Sequence, residues 1–102
     1  MLDALNVAFP LQMRAARSLL GWSQAELSRQ TGVSQPTINR LERGQSQGTP
    51  ETLRTLQACL RRHGVRFETD PGGAVQISLT AEATRSALQR LYGRPVTLPS
   101  EP

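Results

Sequence analysis

The stretch SQPTINRLERG, residues 34–44, concentrates side chains that donate and accept hydrogen bonds. Gln35, Thr37, Asn39, Arg40 and Arg43 supply amides, a hydroxyl and guanidiniums, while apolar side chains occur only at Ile38 and Leu41. On a helix, positions 35, 36, 39, 40 and 43 fall on the side away from 38 and 41. Such a helix buries one narrow stripe and leaves its other side for polar recognition. Amides and guanidiniums make paired hydrogen bonds to planar groups, and Arg also favours anions.

The charge pattern points to the same kind of partner. Net charge is +4, and all twelve cations are Arg. Residues 1–64 carry the whole excess, with eight Arg against four acids, whereas residues 65–102 balance four against four. A basic segment beside a neutral one suits a polyanion, although a solvated basic surface has the same composition.

Other chemistries lack their residues. Cys59 is the single cysteine, so no internal disulfide forms and a reducing cytoplasm is the expected compartment. Beside Leu56 and Leu60 it reads as a small core residue. His63 is the single histidine, with no Cys or acidic cluster near it in sequence, so no metal site is expected. There is no nucleophile–base pairing and no glycine-rich phosphate loop, which argues against an enzyme and against a cofactor. No apolar run of ~18 residues suggests a membrane span, and no leader pattern suggests secretion.

The elements that position the polar helix can be read from their ends. Residues 11–20 place Leu11, Ala15, Ala16, Leu19 and Leu20 on a helical stripe that stops at Gly21. Ser23 with Glu26 forms a capping-box pattern, and Trp22 with Leu27 a hydrophobic staple. The grammar repeats with Val33, Ser34 and Ile38; Pro36 then falls in the first turn, where its missing N–H costs nothing. Two short helices are expected, roughly 24–30 and 35–43, with Gly32 at the corner between them. Thr49-Pro50-Glu51 opens another helix, which runs along Leu53, Leu56 and Leu60 and ends at Gly64.

The run WSQAELSRQTGVSQPTINRLERG, followed by TPETLRTLQACL, resembles the helix-turn-helix of the lambda-repressor-like (XRE) DNA-binding family. The matching features are S-Q-x-E-L at the second helix, T-G-V-S at the turn, I-x-x-L-E-x-G in the third helix and T-P at the fourth. The resemblance covers roughly residues 11–64. It implies a mainly α bundle of four to five helices in which helix 35–43 is the recognition helix, lying in the major groove of double-stranded DNA. It further implies that Gln35, Pro36 and Arg40 occupy the positions that usually read bases. Gln35 can pair with adenine and Arg40 with guanine, while Pro36 can touch only a thymine methyl or shape the approach. The family's frequent polar residue is absent at that position. Gln24 resembles the family's phosphate-contacting glutamine; Ser34, Thr37 and Arg43 suit backbone contacts, and Asn39 shares the outward face. The resemblance also implies a structural salt bridge between Arg17 and Glu42.

The C-terminal third is less specific. VRFET and AVQISL alternate with period two around DPGG, which predicts a short hairpin or strands that pair between subunits. Thr80 caps a fifth helix, roughly 81–92. The organisation expected is an N-terminal arm (1–10), the DNA-binding unit (11–64), a hairpin-plus-helix dimerisation unit (65–92) and a flexible tail (93–102). Residues 1–10 can equally be a short extra helix or a dimer element.

The resemblance implies a sequence-specific transcriptional regulator, most simply a repressor, that binds a two-fold symmetric operator as a homodimer on the nucleoid. Other readings stay open. One is the antitoxin of a toxin–antitoxin pair, with a toxin as protein partner. Another is an anti-activator that binds protein instead of DNA, which the polar face at Gln24, Gln35 and Arg40 argues against.

Overall fold

The computed structural model describes residues 4–94, with side chains described from Phe9 onward. Five helices and one hairpin follow in the order α1 (Ala4–Leu20), α2 (Gln24–Thr31), α3 (Gln35–Glu42), α4 (Pro50–Arg62), β1 (Val65–Thr69), β2 (Val75–Leu79) and α5 (Ala81–Tyr92). The chain is thus mainly α, a helix-turn-helix bundle with a short C-terminal β-hairpin. Among the described residues no helix is long and apolar enough to cross a membrane.

The first helix departs from the sequence reading in two ways. It begins at Ala4, so residues 4–10 extend α1 and do not form a separate arm. Pro10 lies inside this helix and removes one backbone hydrogen bond there. Phe9, just before it, is buried in the core and anchors this extension. The buried stripe also differs. Phe9, Gln12, Met13, Ala16 and Leu20 face inward, whereas Leu11, Ala15 and Leu19 face out. Apolar residues occupy two sides of α1, so periodicity alone selects no single face.

Local caps start the remaining helices. Ser23 Oγ accepts from the Glu26 N–H at 3.0 Å, Ser34 Oγ from Thr37 at 3.3 Å, Thr49 Oγ1 from Thr52 at 3.1 Å and Thr80 Oγ1 from Ala83 at 3.1 Å. Each cap satisfies a first-turn donor that has no partner within its helix. The capping box at Ser23 is only half formed, because the Glu26 carboxylate accepts from Arg29 one turn on, at 2.7 and 2.6 Å. An i,i+3 ion pair on the exposed surface competes successfully with the bond back to the cap.

The core joins Phe9, Met13 and Leu20 of α1 to Leu27 of α2, Ile38 and Leu41 of α3, and Leu53, Leu56 and Leu60 of α4. Cys59 is buried there, and burial pushes its thiol up from the ordinary range. Trp22 is buried and meets the His63 ring edge-on, with centroids 4.7 Å apart. The strands pair antiparallel within the chain, placing Val65 opposite Leu79, Phe67 opposite Ile77 and Thr69 opposite Val75. Phe67, Ile77 and Leu79 pack on the core, and Phe67 sets its ring edge against Phe9 at 5.8 Å.

Gly64 makes the junction of α4, the hairpin and α5 possible. It has φ +90°, and a Cβ there would lie 2.6 Å from both Ala83 Cβ and Thr80 Oγ1. Its carbonyl accepts from the Thr80 N–H at 2.9 Å. Arg90 of α5 then reaches α1, its Nε donating to the Leu20 carbonyl at 3.1 Å and so capping that helix's C-terminus. Gly93 closes α5 in a left-handed conformation. Residues 95–102, which hold most of the expected flexible tail, lie outside the described residues, as do residues 1–3.

Candidate nucleic-acid interface

The corner between α2 and α3 sets the orientation of the polar face. Gly32 ends α2 with φ +79°, a left-handed conformation that glycine adopts without a Cβ penalty. Val33, half-buried, packs against the core between the two helices. Two residues after the corner glycine, Ser34 starts α3, with Pro36 in its first turn. Ile38 and Leu41 are buried to 0% and 1% exposure, which locks the helix by its inner stripe and fixes which side chains face out.

That outer side carries the residues singled out from the sequence. Ser34, Gln35, Pro36, Arg40 and Arg43 are exposed, with Thr37 and Asn39 half-buried at the edges. Gln24 joins them from the start of α2. Together Gln24, Gln35, Pro36, Asn39 and Arg40 line a shallow open concavity of about 350 Å³. Ser34 and Thr37 share a hydroxyl–hydroxyl hydrogen bond of 2.8 Å, and Arg40 Nη2 donates to Thr37 Oγ1 at 3.4 Å. Among the described residues, the ion pairs are Arg17–Glu42 and Arg29–Glu26, so no carboxylate neutralises Arg40 or Arg43. Two unpaired guanidiniums on one exposed helix face are an anion-seeking arrangement.

Behind this face runs a chain of hydrogen bonds. Arg17 of α1 grips Glu42 with Nε on Oε2 at 2.8 Å and Nη2 on Oε1 at 2.9 Å, and its Nη1 donates to the Trp22 carbonyl at 2.9 Å. Gln24 Nε2 donates to Glu42 Oε1 at 3.0 Å, and Gln24 Oε1 accepts from Asn39 Nδ2 at 3.3 Å. Burial pushes the Glu42 carboxyl up, but the hydrogen bonds from Arg17 and Gln24 and the Arg17 charge outweigh it. The group ends below the usual carboxylate range. The hydrogen bond to Glu42 likewise raises Arg17 above its ordinary value. Sequence reasoning missed the link from Gln24 to Asn39. Nothing in the spacing of positions 24 and 39 signals it, because it depends on how Glu42 orients the Gln24 amide.

A helix-turn-helix family model matches residues 13–67, more than half of the 102 residues. The chain belongs to the helix-turn-helix family. The match contains α2, the Gly32 corner, α3 and α4, and extends into β1. Over 56 residues the chain is 43% identical to an uncharacterized HTH-type transcriptional regulator of Haemophilus influenzae, a region covering 55% of this chain and 57% of that protein. The chain thus spans little more than half the length of this relative. In helix-turn-helix terms, α2 is the first helix of the motif and α3 the second, with Gln24 at the head of one and Gln35 at the head of the other.

Proposed function

We propose that this helix-turn-helix protein is a sequence-specific DNA-binding transcriptional regulator, most simply a repressor, that inserts α3 into the major groove. The observation that carries the reading is the outer face of α3. Arg40 and Arg43, which pair with no described carboxylate, share it with the amides of Gln35 and Asn39, while Ile38 and Leu41 bury the opposite side. The family membership and the relative's description as a transcriptional regulator support it.

The roles follow from chemistry. Arg40 pairs with the O6 and N7 of guanine, and Gln35 with the N6 and N7 of adenine. Pro36 offers only an apolar edge. Ser34, Thr37 and Arg43 hold phosphates and so set the register of α3 without reading sequence. Gln24 stands beside the same backbone and orients Asn39. The basic unit at residues 11–64 binds the polyanion, and the neutral part from residue 65 onward serves a homodimer, so that two copies of α3 read a two-fold symmetric operator.

Selection of bound sequences from a random duplex library tests this, with the Arg40→Ala variant run alongside. The expected result is an enriched inverted repeat, blurred by the variant at one symmetric guanine. Absence of enrichment by the folded protein at low salt overturns the reading.

A further inference from the structure

We propose that two copies of this chain join through the outer edge of β2 and the outward apolar side of α1, forming one four-stranded antiparallel sheet. The inference rests on the dimeric reading above and replaces its broad dimerisation segment with a specific seam, much of it on α1.

The first observation is a groove between α1 and β2. Its walls are Leu11, Ala15, Ser18 and Leu19 on the helix and Val75 and Ile77 on the strand. Leu11 is 63% exposed, Leu19 46% and Val75 38%. The helical residues stand at successive spacings of four, three and one, and so form one continuous strip. At about 100° per residue this strip lies roughly opposite Arg17, which faces α3. An occupant of the groove therefore leaves the polar face of α3 open.

The second observation is charge. Among the described residues no charged side chain lines the groove, although the chain carries a net +4. Two copies of one basic protein repel each other, and a contact between them is least opposed where the surface is neutral. A nucleic acid or an acidic peptide finds nothing here to bind. A second copy brings the same neutral, apolar strip.

The third observation is the outer edge of β2, which no other described strand pairs with. Thr80 donates to the Gly64 carbonyl at 2.9 Å and Asp70 to the Ala74 carbonyl at 3.0 Å. With the pairing register, these bonds fix which residues face β1 through their backbones: Gln76 and Ser78 on β2. The N–H and C=O groups of Val75, Ile77 and Leu79 consequently point out of the open edge. Such an edge pairs antiparallel with itself about a two-fold axis. Centred on Ile77, that axis sets Ile77 against its own copy and Val75 against the partner's Leu79. Every outward N–H then meets an outward C=O.

The same axis brings the two α1 helices side by side on one face of the sheet, running antiparallel. Ala15 and Ser18 are small enough for close approach, while Leu11 and Leu19 fill the space around them. Beneath the groove, Gln12 is 1% exposed and its Oε1 finds no hydrogen-bond partner among the described residues. A two-stranded hairpin is marginal in water, and four strands with a covered face are not.

The test is sedimentation equilibrium of the full chain and of Leu11→Glu, Leu19→Glu and Leu91→Glu. Leu91 is 72% exposed on α5, away from the groove, and serves as the control. All three changes sit on exposed positions, and circular dichroism with thermal unfolding verifies the fold. The native chain and Leu91→Glu should sediment at twice the chain mass. Leu11→Glu and Leu19→Glu should raise the dimer dissociation constant on the order of 30-fold or more, the scale of a truncated interface hot spot. A monomeric native chain overturns the seam, as does a native dimer that the groove variants leave intact or that only Leu91→Glu breaks. A native dimer broken by the groove variants establishes the seam even if the chain selects no DNA sequence, in which case the operator reading alone fails.

Discussion

Arg17 and Glu42, 25 residues apart in the chain, meet in a two-pronged ion pair that ties α1 to the last turn of α3. The Glu42 side chain is 3% exposed and that of Arg17 20%. Removing one partner strands the other away from water, which typically costs about 3–5 kcal/mol for a buried pair. Arg17→Met and Glu42→Ala should each lose roughly 3 kcal/mol in urea unfolding, and the double variant clearly less than their sum. Single losses below about 1 kcal/mol, or additivity within about 0.5 kcal/mol, would show that the pair is only superficial.

Glu42 also sets an acid limit on stability. Its native carboxyl is held below the ordinary range, against the upward push of burial, by Arg17 and Gln24. A depressed carboxyl stabilises the fold fully above its unfolded value of about 4.3, and that contribution disappears as pH falls through the native value. Stability of the native chain should therefore decline as pH drops below about 4.3. Glu42→Gln, less stable at neutral pH, should lose less between about pH 5 and pH 3. The exposed Glu26–Arg29 pair is common to both proteins, so the difference in slope reports Glu42. Parallel pH profiles would contradict the assignment.

The glycines at two corners separate conformational from steric cost. Gly32 has φ +79° and open space, with nothing within 4 Å of where a Cβ would stand, whereas Gly64 has φ +90° and two atoms 2.6 Å from that point. Gly32→Ala should cost only the left-handed penalty of about 1–2 kcal/mol. Gly64→Ala should cost at least about 1 kcal/mol more, because Ala83 and Thr80 must shift and loosen α5. Equal midpoints for the two variants would refute the packing argument.

Arg40 and Arg43 share a face but not a role. Arg40→Ala should cost roughly 1–3 kcal/mol of specific binding and relax the preference at one guanine. Arg43→Ala should weaken binding to every sequence alike and lower the salt slope by about one phosphate. Titration of the selected duplex and of a scrambled one across a salt series distinguishes the two. If Arg40→Ala weakened both duplexes equally, the reading position would have to move elsewhere on α3.

What is legible in the sequence depends on whether a signal is local. The caps at Ser23, Ser34, Thr49 and Thr80 depend on a few neighbouring residues, and each helix they open is present. The outward set on α3 is readable because Ile38 and Leu41 define one narrow inner stripe. On α1 two apolar faces compete, and which of them is buried depends on where α3, α4 and the hairpin dock. Periodicity therefore puts Leu11 and Leu19 on the inner stripe, and both are exposed. The helical extension at residues 4–10 is hidden because the sequence cannot show Phe9 anchoring it. The bond from Gln24 to Asn39 is out of reach for the same reason, being made across two helices under the control of a third residue.

That bond yields the most discriminating test of the site. A glutamine at the head of α2 could serve only by touching a phosphate, in which case its loss would act independently of Asn39. The hydrogen bonds favour a positioning role: Gln24 is held by Glu42 at 3.0 Å and accepts from Asn39 at 3.3 Å, so it fixes which way the Asn39 amide faces. Gln24→Ala should then lower affinity for the selected duplex by about 0.5–1.5 kcal/mol, the net scale of a hydrogen bond. Most of that loss should vanish when Asn39 is already alanine, giving a coupling of at least about 0.5 kcal/mol in a double-mutant cycle. Neither substitution removes a charge, so the salt slope should stay unchanged in all four proteins. Additive losses would assign Gln24 to the phosphate backbone and leave Asn39 to find its own orientation.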